Sequence, residues 1–179
     1  MEKKTAGNKY CEPINTCIFY GKVGVEFVTT HMPRMNGHRA SKEEVLNLLE
    51  LQHKNEKVFT VWFKDATGYR AGVLCCCCSC CCAAMEVEVK KKKKGIQGLA
   101  MTAPSGYSVA VNMDKCKACG KCMKACPYSA MKIVEIDGKK ELTYFKDLCM
   151  GCGVCQSICP HGSISLIVDP DKGVIFDVD

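Results

Sequence analysis

CKACGKCMKACP at residues 116–127 and CMGCGVCQSICP at residues 149–160 are two copies of one pattern, C-x2-C-x2-C-x3-C-P. In each copy, three thiols spaced three residues apart suit a tight loop that wraps one side of an iron–sulfur cube. The fourth is displaced onto what reads as the start of a short helix, facing away from its own loop. Pro127 and Pro160 suit a first helical position, where no N–H is needed. Gly120, Gly151 and Gly153 let backbone N–H groups approach the sulfurs closely. Structural zinc uses cysteines in pairs to complete a tetrahedron, not runs of three plus one remote. Disulfides need an oxidising compartment, to which nothing in the sequence directs the chain. Two full copies of so long a spacing therefore select iron–sulfur chemistry.

On these motifs residues 108–179 resemble a bacterial-type 2[4Fe-4S] ferredoxin. The resemblance implies crossed ligation: Cys116, Cys119, Cys122 and Cys159 hold one [4Fe-4S] cluster, and Cys149, Cys152, Cys155 and Cys126 hold the other. The surrounding pattern is strand-like. Tyr107–Val111 leads into the first loop, and Met131–Ile136, an Asp137-Gly138 turn and Glu141–Phe145 read as a β-hairpin. Ile164–Val168, a turn at Pro170-Asp171-Lys172-Gly173, and Val174–Val178 repeat that scheme. A unit of this size has a thin core, and two clusters act as its staples.

The 179 residues suggest one or two domains. Charge is uneven: residues 1–95 hold 16 Lys+Arg against 10 Asp+Glu, residues 96–179 hold 9 of each, and eight ligating thiolates add negative charge to the second half only. No apolar run follows Met1-Glu2-Lys3-Lys4, so no secretory signal is expected. Ala71–Met85 is too short to span a bilayer and Gly95–Met113 too polar, so a cytoplasmic protein without a membrane span is expected. Seventeen cysteines, oxidisable when unmetallated, point to an anaerobic cell.

The first half carries its own cysteine chemistry. Cys11 and Cys17 lie in a segment whose Val23–Val28 looks like a strand. Ser41-Lys42-Glu43-Glu44 is a capping box opening a helix to about His53, and Val58–Phe63 reads as a strand ending in an Asp65–Gly68 turn. Then come Cys75, Cys76, Cys77, Cys78, Cys80, Cys81 and Cys82, seven thiols in eight positions. Packing does not explain such a run, because Ala or Val packs as well without the redox hazard. Read as a helix, it puts Cys75, Cys78 and Cys82 on one face. One straight helix cannot place four sulfurs around one centre, so a third metal or cluster site here needs a bent backbone, help from Cys11 or Cys17, or a second chain. Glu86–Val89 alternates like a strand edge. Lys90–Lys94 reads as a solvated linker or as a docking surface for an acidic redox partner, and without interleaved aromatics it does not read as a nucleic-acid site. Gly95–Gly106 looks like a connector.

The whole chain resembles a group of anaerobe 4Fe-4S dicluster proteins that join a cysteine-rich segment of the form C-N-C-C-x-C-C-C, with Cys76 here at the Asn position, to a ferredoxin module. The expectation is an α+β chain: a small N-terminal α/β cysteine-rich domain (1–95), a linker (96–106) and a two-cluster ferredoxin-like domain (107–179). The resemblance implies an electron carrier or the electron-transfer subunit of a redox complex, with two [4Fe-4S] clusters and a redox protein as partner. The alternatives are an iron–sulfur enzyme subunit using the N-terminal thiols, or a metal-storage or cluster-assembly protein. No triad, P-loop or dinucleotide fingerprint makes the chain a self-contained enzyme.

Overall fold

The computed structural model describes residues 16–63, 71–79, 82–96 and 102–175, which fall into two units dividing between Glu86 and Val87. The first contains β1 (Cys17–Phe19), α1 (Lys22–Glu26), α2 (Lys42–Lys54), β2 (Val58–Phe63) and β3 (Ala71–Cys77). A further helix, α3 (Ala83–Lys93), runs across the division. The three strands make an antiparallel sheet in the order β1-β3-β2, with β3 central. The capping box of α2 forms as expected: the Glu44 amide donates to Ser41 Oγ (3.1 Å), and the Ser41 amide donates to the Glu44 carboxylate (2.7 Å). Val58–Phe63 is the strand its β-branched and aromatic content predicts.

Three local expectations are overturned here. Val23–Val28 is helical, continuing from α1 into a π-helical turn at Phe27–His31. Gly21, at φ +76°, turns the chain off β1, the Val25 amide bonds back to the Gly21 carbonyl (3.1 Å), and Thr29 Oγ1 donates to the Val25 carbonyl (2.8 Å). These local bonds override the strand preference of the valines. The cysteine run does not open as a helix: Cys75–Cys77 close the central strand, where the ladders to both neighbours use the backbone groups a helix needs. Glu86–Val89 and the lysines up to Lys93 are not a strand edge and loop but α3. Ala83, Ala84, Met85, Glu and Lys are strong helix formers, and Glu86 stands four residues before Lys90, the spacing at which opposite charges support a helix. The expected Asp65–Gly68 turn lies outside the described residues, as do residues 97–101 of the connector.

The second unit contains β4 (Tyr107–Val111), α4 (Lys121–Ala125), β5 (Met131–Ile136), β6 (Lys139–Tyr144), α5 (Val154–Ser157) and β7 (Ile164–Val168). Strands β5 and β6 form the expected hairpin, with Asp137 (φ +51°) and Gly138 (φ +75°) both left-handed, as a primed two-residue turn requires. Strand β7 pairs antiparallel with β4, Tyr107 opposite Val168. Val174 and Ile175 are not in a strand, and the remainder of that segment lies outside the described residues. The two ends of the unit are tied elsewhere too: the Gly106 amide donates to the Lys172 carbonyl, and Lys146 Nζ lies 3.0 Å from both Asp169 Oδ2 and Asp171 Oδ2. Val109, Met131, Leu142 and Ile164 form the core together with Cys122 and Cys155.

The prolines also stand elsewhere than expected. Gly120 and Gly153, both at φ +75°, start α4 and α5 directly from the cysteine loops. The third cysteine of each motif is therefore inside its helix, and the fourth follows the helix end. Pro127 and Pro160 come after the helices and stop them rather than opening new ones.

Candidate iron–sulfur sites

The motif cysteines gather into two cavities, and the grouping crosses the repeats. Cys116, Cys119 and Cys122 line one depression together with Cys159 from the second motif. Cys149, Cys152 and Cys155 line another together with Cys126 from the first. The cause is in the chain trace: α4 and α5 each carry the chain out of one loop and deliver the fourth cysteine to the other.

The donor set suits a polynuclear, cationic guest. Four thiols in one low-dielectric space cannot all ionise unaided. Burial, followed by the neighbouring Cys126 and Cys149, pushes Cys152 up to about 11, and burial followed by Cys152, Cys126 and Cys149 pushes Cys155 up to about 12. Burial likewise raises Cys122. Bound metal removes this penalty by replacing the protons. N–H groups already point at sulfurs: the Gly151 amide donates to Cys149 Sγ and the Ser163 amide to Cys159 Sγ, both at 3.4 Å. Ser163 Oγ lies 3.1 Å from the Cys159 sulfur. Burial pushes the Cys159 thiol up, but the Ser163 hydroxyl and the amides of Ser163, His161 and Ile164 outweigh it and leave the pKa below the ordinary thiol value. Gly151 is needed at its position, since at φ +68° an added Cβ would run into Ser105 Oγ and the Tyr107 carbonyl.

Sequence reasoning passed over Tyr144, Ser108 and Ser163. The Tyr144 hydroxyl is hydrogen-bonded to Cys149 and accepts from the Val109 amide (3.4 Å). Ser108, 3% exposed, is hydrogen-bonded to both Tyr144 and Asp169. A Tyr at the end of a hairpin strand and a Ser on a pairing strand carry no motif, so only the folded register brings them to the sulfur.

In the first unit, directly opposed residues of neighbouring strands share a face, and so do alternate residues of one strand. Cys75 on β3 stands opposite Cys17 on β1 and Thr60 on β2, and Cys77 shares its face. Past a turn the chain brings back Cys82, whose thiol donates to Cys77 Sγ at 3.4 Å. Cys75 is hydrogen-bonded to Cys17 and Cys77, so Cys17, Cys75, Cys77 and Cys82 form one chain of sulfurs. Hydrogen bonding to Cys17 and Cys77, then burial, raises the Cys75 pKa. Hydrogen bonding to Cys77, then burial, raises that of Cys82 against the amides of Met85 and Ala84. Cys76 is on the other face, fully buried, with its backbone held by Thr16 (3.2 and 3.1 Å), and Cys78 is half-buried. Cys11, Cys80 and Cys81 lie outside the described residues. Among the described residues no three His, Cys, Asp or Glu side chains converge to hold a single metal ion.

Residues 109–166 match the family model of the 4Fe-4S dicluster domain. The second unit is thus a ferredoxin-like iron–sulfur domain, the class that serves electron transfer, within an α+β chain. Over 50 residues the sequence is 40% identical to the Co(II) methylated amine-specific corrinoid protein reductase of Methanosarcina barkeri, a stretch that is 28% of this chain and 9% of that protein. The chain therefore spans less than a tenth of the length of the curated relative it matches. Among the described residues no helix is long and apolar enough to cross a membrane.

Proposed function

We propose that this protein transfers single electrons through two [4Fe-4S] clusters, one held by Cys116, Cys119, Cys122 and Cys159 and the other by Cys149, Cys152, Cys155 and Cys126. The observation that carries the proposal is the sorting of eight cysteines into two four-sulfur cavities, each mixing three thiols of one motif with one of the other. When bound, each cluster supplies one reversible one-electron couple. The chain's own residues do the rest. Eight thiolates hold the iron, Cys122 from one cavity and Cys155 from the other belong to one buried core, and N–H and O–H donors set how much negative charge each sulfur accommodates.

In this reading residues 107–179 are the electron-transfer module, residues 96–106 the connector, and residues 1–95 a cysteine-rich module in a cytoplasmic electron carrier or oxidoreductase subunit. The relative's name, a reductase, favours the subunit role. A third site is part of the proposal: Cys17, Cys75, Cys77 and Cys82, which do not converge on a single metal ion, hold a further cluster or spread thiolate-bound metal along their continuous sulfur-to-sulfur chain.

Iron, acid-labile sulfide and EPR quantification on protein purified without oxygen test the reading. Eight irons and eight sulfides with two interacting signals are expected from the ferredoxin module, with further metal from the first unit. Four irons, or a zinc-only protein, overturns the two-cluster assignment.

A further inference from the structure

The two cluster loops differ in charge and exposure, and the difference marks one of them as the contact for a partner. In the first loop, Lys115, Lys117, Lys121 and Lys124 are all exposed, against the single acid Asp114. Lys117, Lys121 and His161 line the cavity itself. Cys119, between them, is the one exposed cysteine among the described residues. The matching stretch of the second loop, residues 147–157, contains Asp147 and no Lys or Arg. Its cavity is lined instead by Val109, Tyr128, Ala130, Met131, Met150 and Val154 beside its cysteines, and Cys149 and Cys155 are buried.

We infer that the lysine rim of Lys115, Lys117, Lys121 and Lys124 around Cys119 is the docking surface for a one-electron redox protein with an acidic face, and that electrons enter and leave by way of the first loop. The inference rests on the two-cluster reading above. Charge complementarity identifies the partner: a basic rim steers an acidic surface into contact and repels a basic one. The exchange is one electron, with no bond made and no proton moved: the partner's centre loses or gains what the protein gains or loses. Thin cover at Cys119 shortens the path, whereas the apolar wall of the second cavity keeps a partner away. This surface is a different one from the run Lys90–Lys94.

Two measurements on the anaerobic full-length protein test this. In the first, the redox-inert paramagnetic anion hexacyanochromate(III) is titrated into isotope-labelled protein. Resonances of Lys115, Lys117, Lys121 and Lys124 should broaden before those of Lys139 and Lys140. In the second, the dithionite-reduced protein is oxidised in a stopped-flow instrument by an anionic cobalt(III) chelate and by cationic hexaamminecobalt(III). Changing the four lysines to Gln should slow the anionic reagent about tenfold at low ionic strength and flatten its salt dependence. The cationic reagent should not slow, and iron content and EPR should match the parent. An equal loss on changing Lys90–Lys94 to Gln, or an unchanged anionic rate in the four-lysine variant, overturns the inference. A failure of the underlying reading looks different, because the parent protein then has no cluster signal to follow.

Discussion

Tyr144→Phe should lower the reduction potential of the second-loop cluster and leave the other where it is. The substitution removes one hydroxyl that sits between the Val109 amide and the Cys149 sulfur. Burial, then that bond to Cys149, pushes the Tyr144 phenol up to about 12, so it remains a proton donor at any working pH. A hydrogen bond to a charged acceptor contributes roughly 1.5–3 kcal/mol, and only the part that grows on reduction moves the potential. The added electron is spread over the iron and four sulfurs, so strengthening at this one sulfur is about 0.5–1 kcal/mol. At about 59 mV per 1.4 kcal/mol for a one-electron couple, this is a fall of about 20–40 mV. The Gly151 amide still donates to Cys149 at 3.4 Å, so the cluster should be retained. EPR-monitored redox titration resolves the two centres, and the first-loop signal is the internal control. A shift confined to the first-loop cluster, or no shift in a variant with full iron content, would refute the placement of Tyr144 against a ligand of the second cluster.

Further outcomes follow from the same geometry. Ser163→Ala removes the hydroxyl 3.1 Å from Cys159 and should shift the first-loop cluster downward instead, read in the same titration. Cys126→Ala should abolish the cluster of the second loop and Cys159→Ala that of the first, seen as loss of the corresponding EPR signal; the reverse pattern sinks the crossed assignment. Gly151→Ala forces a left-handed alanine into Ser105 and the Tyr107 carbonyl and should destabilise by more than about 3 kcal/mol in anaerobic denaturation. Gly138→Ala, also at positive φ but in open space, should cost only about 1 kcal/mol. Replacing Cys17 and Cys77 together with Ala should lower the metal content of the intact chain while both ferredoxin signals persist, and an unchanged metal count argues against the third site.

Spacing made the second unit legible before any fold was known. The motif C-x2-C-x2-C-x3-C-P is a local signal, because loop curvature and short helices depend on neighbours a few residues away. The same holds for the Asp137-Gly138 hairpin and the Ser41–Glu44 capping box, whose bonds close within four residues. The N-terminal half of the chain was less legible for the opposite reason. Val23–Val28 has strand composition but takes the helical hydrogen bonds open to it after Gly21, and Lys90–Lys93 belongs to a helix because its Glu and Ala neighbours propagate one.

By itself the amino-acid sequence determined the chemistry: which thiols form the two motifs, where the loops turn, and that seven further cysteines are packed into eight positions. Tertiary structure alone decided which sulfurs meet. Strand β3 lies between β1 and β2, so Cys75 and Cys77 share a face with Cys17 from nearly sixty residues away, while Cys76 turns to the other. Strand β7 pairs with β4, at the other end of the unit's sequence, and Tyr144 of β6 comes to lie between the β4 backbone and a sulfur of the second loop. These contacts join residues far apart in the chain. Their partners are set by register and by which strand edges are already taken, quantities that no local pattern of residues encodes.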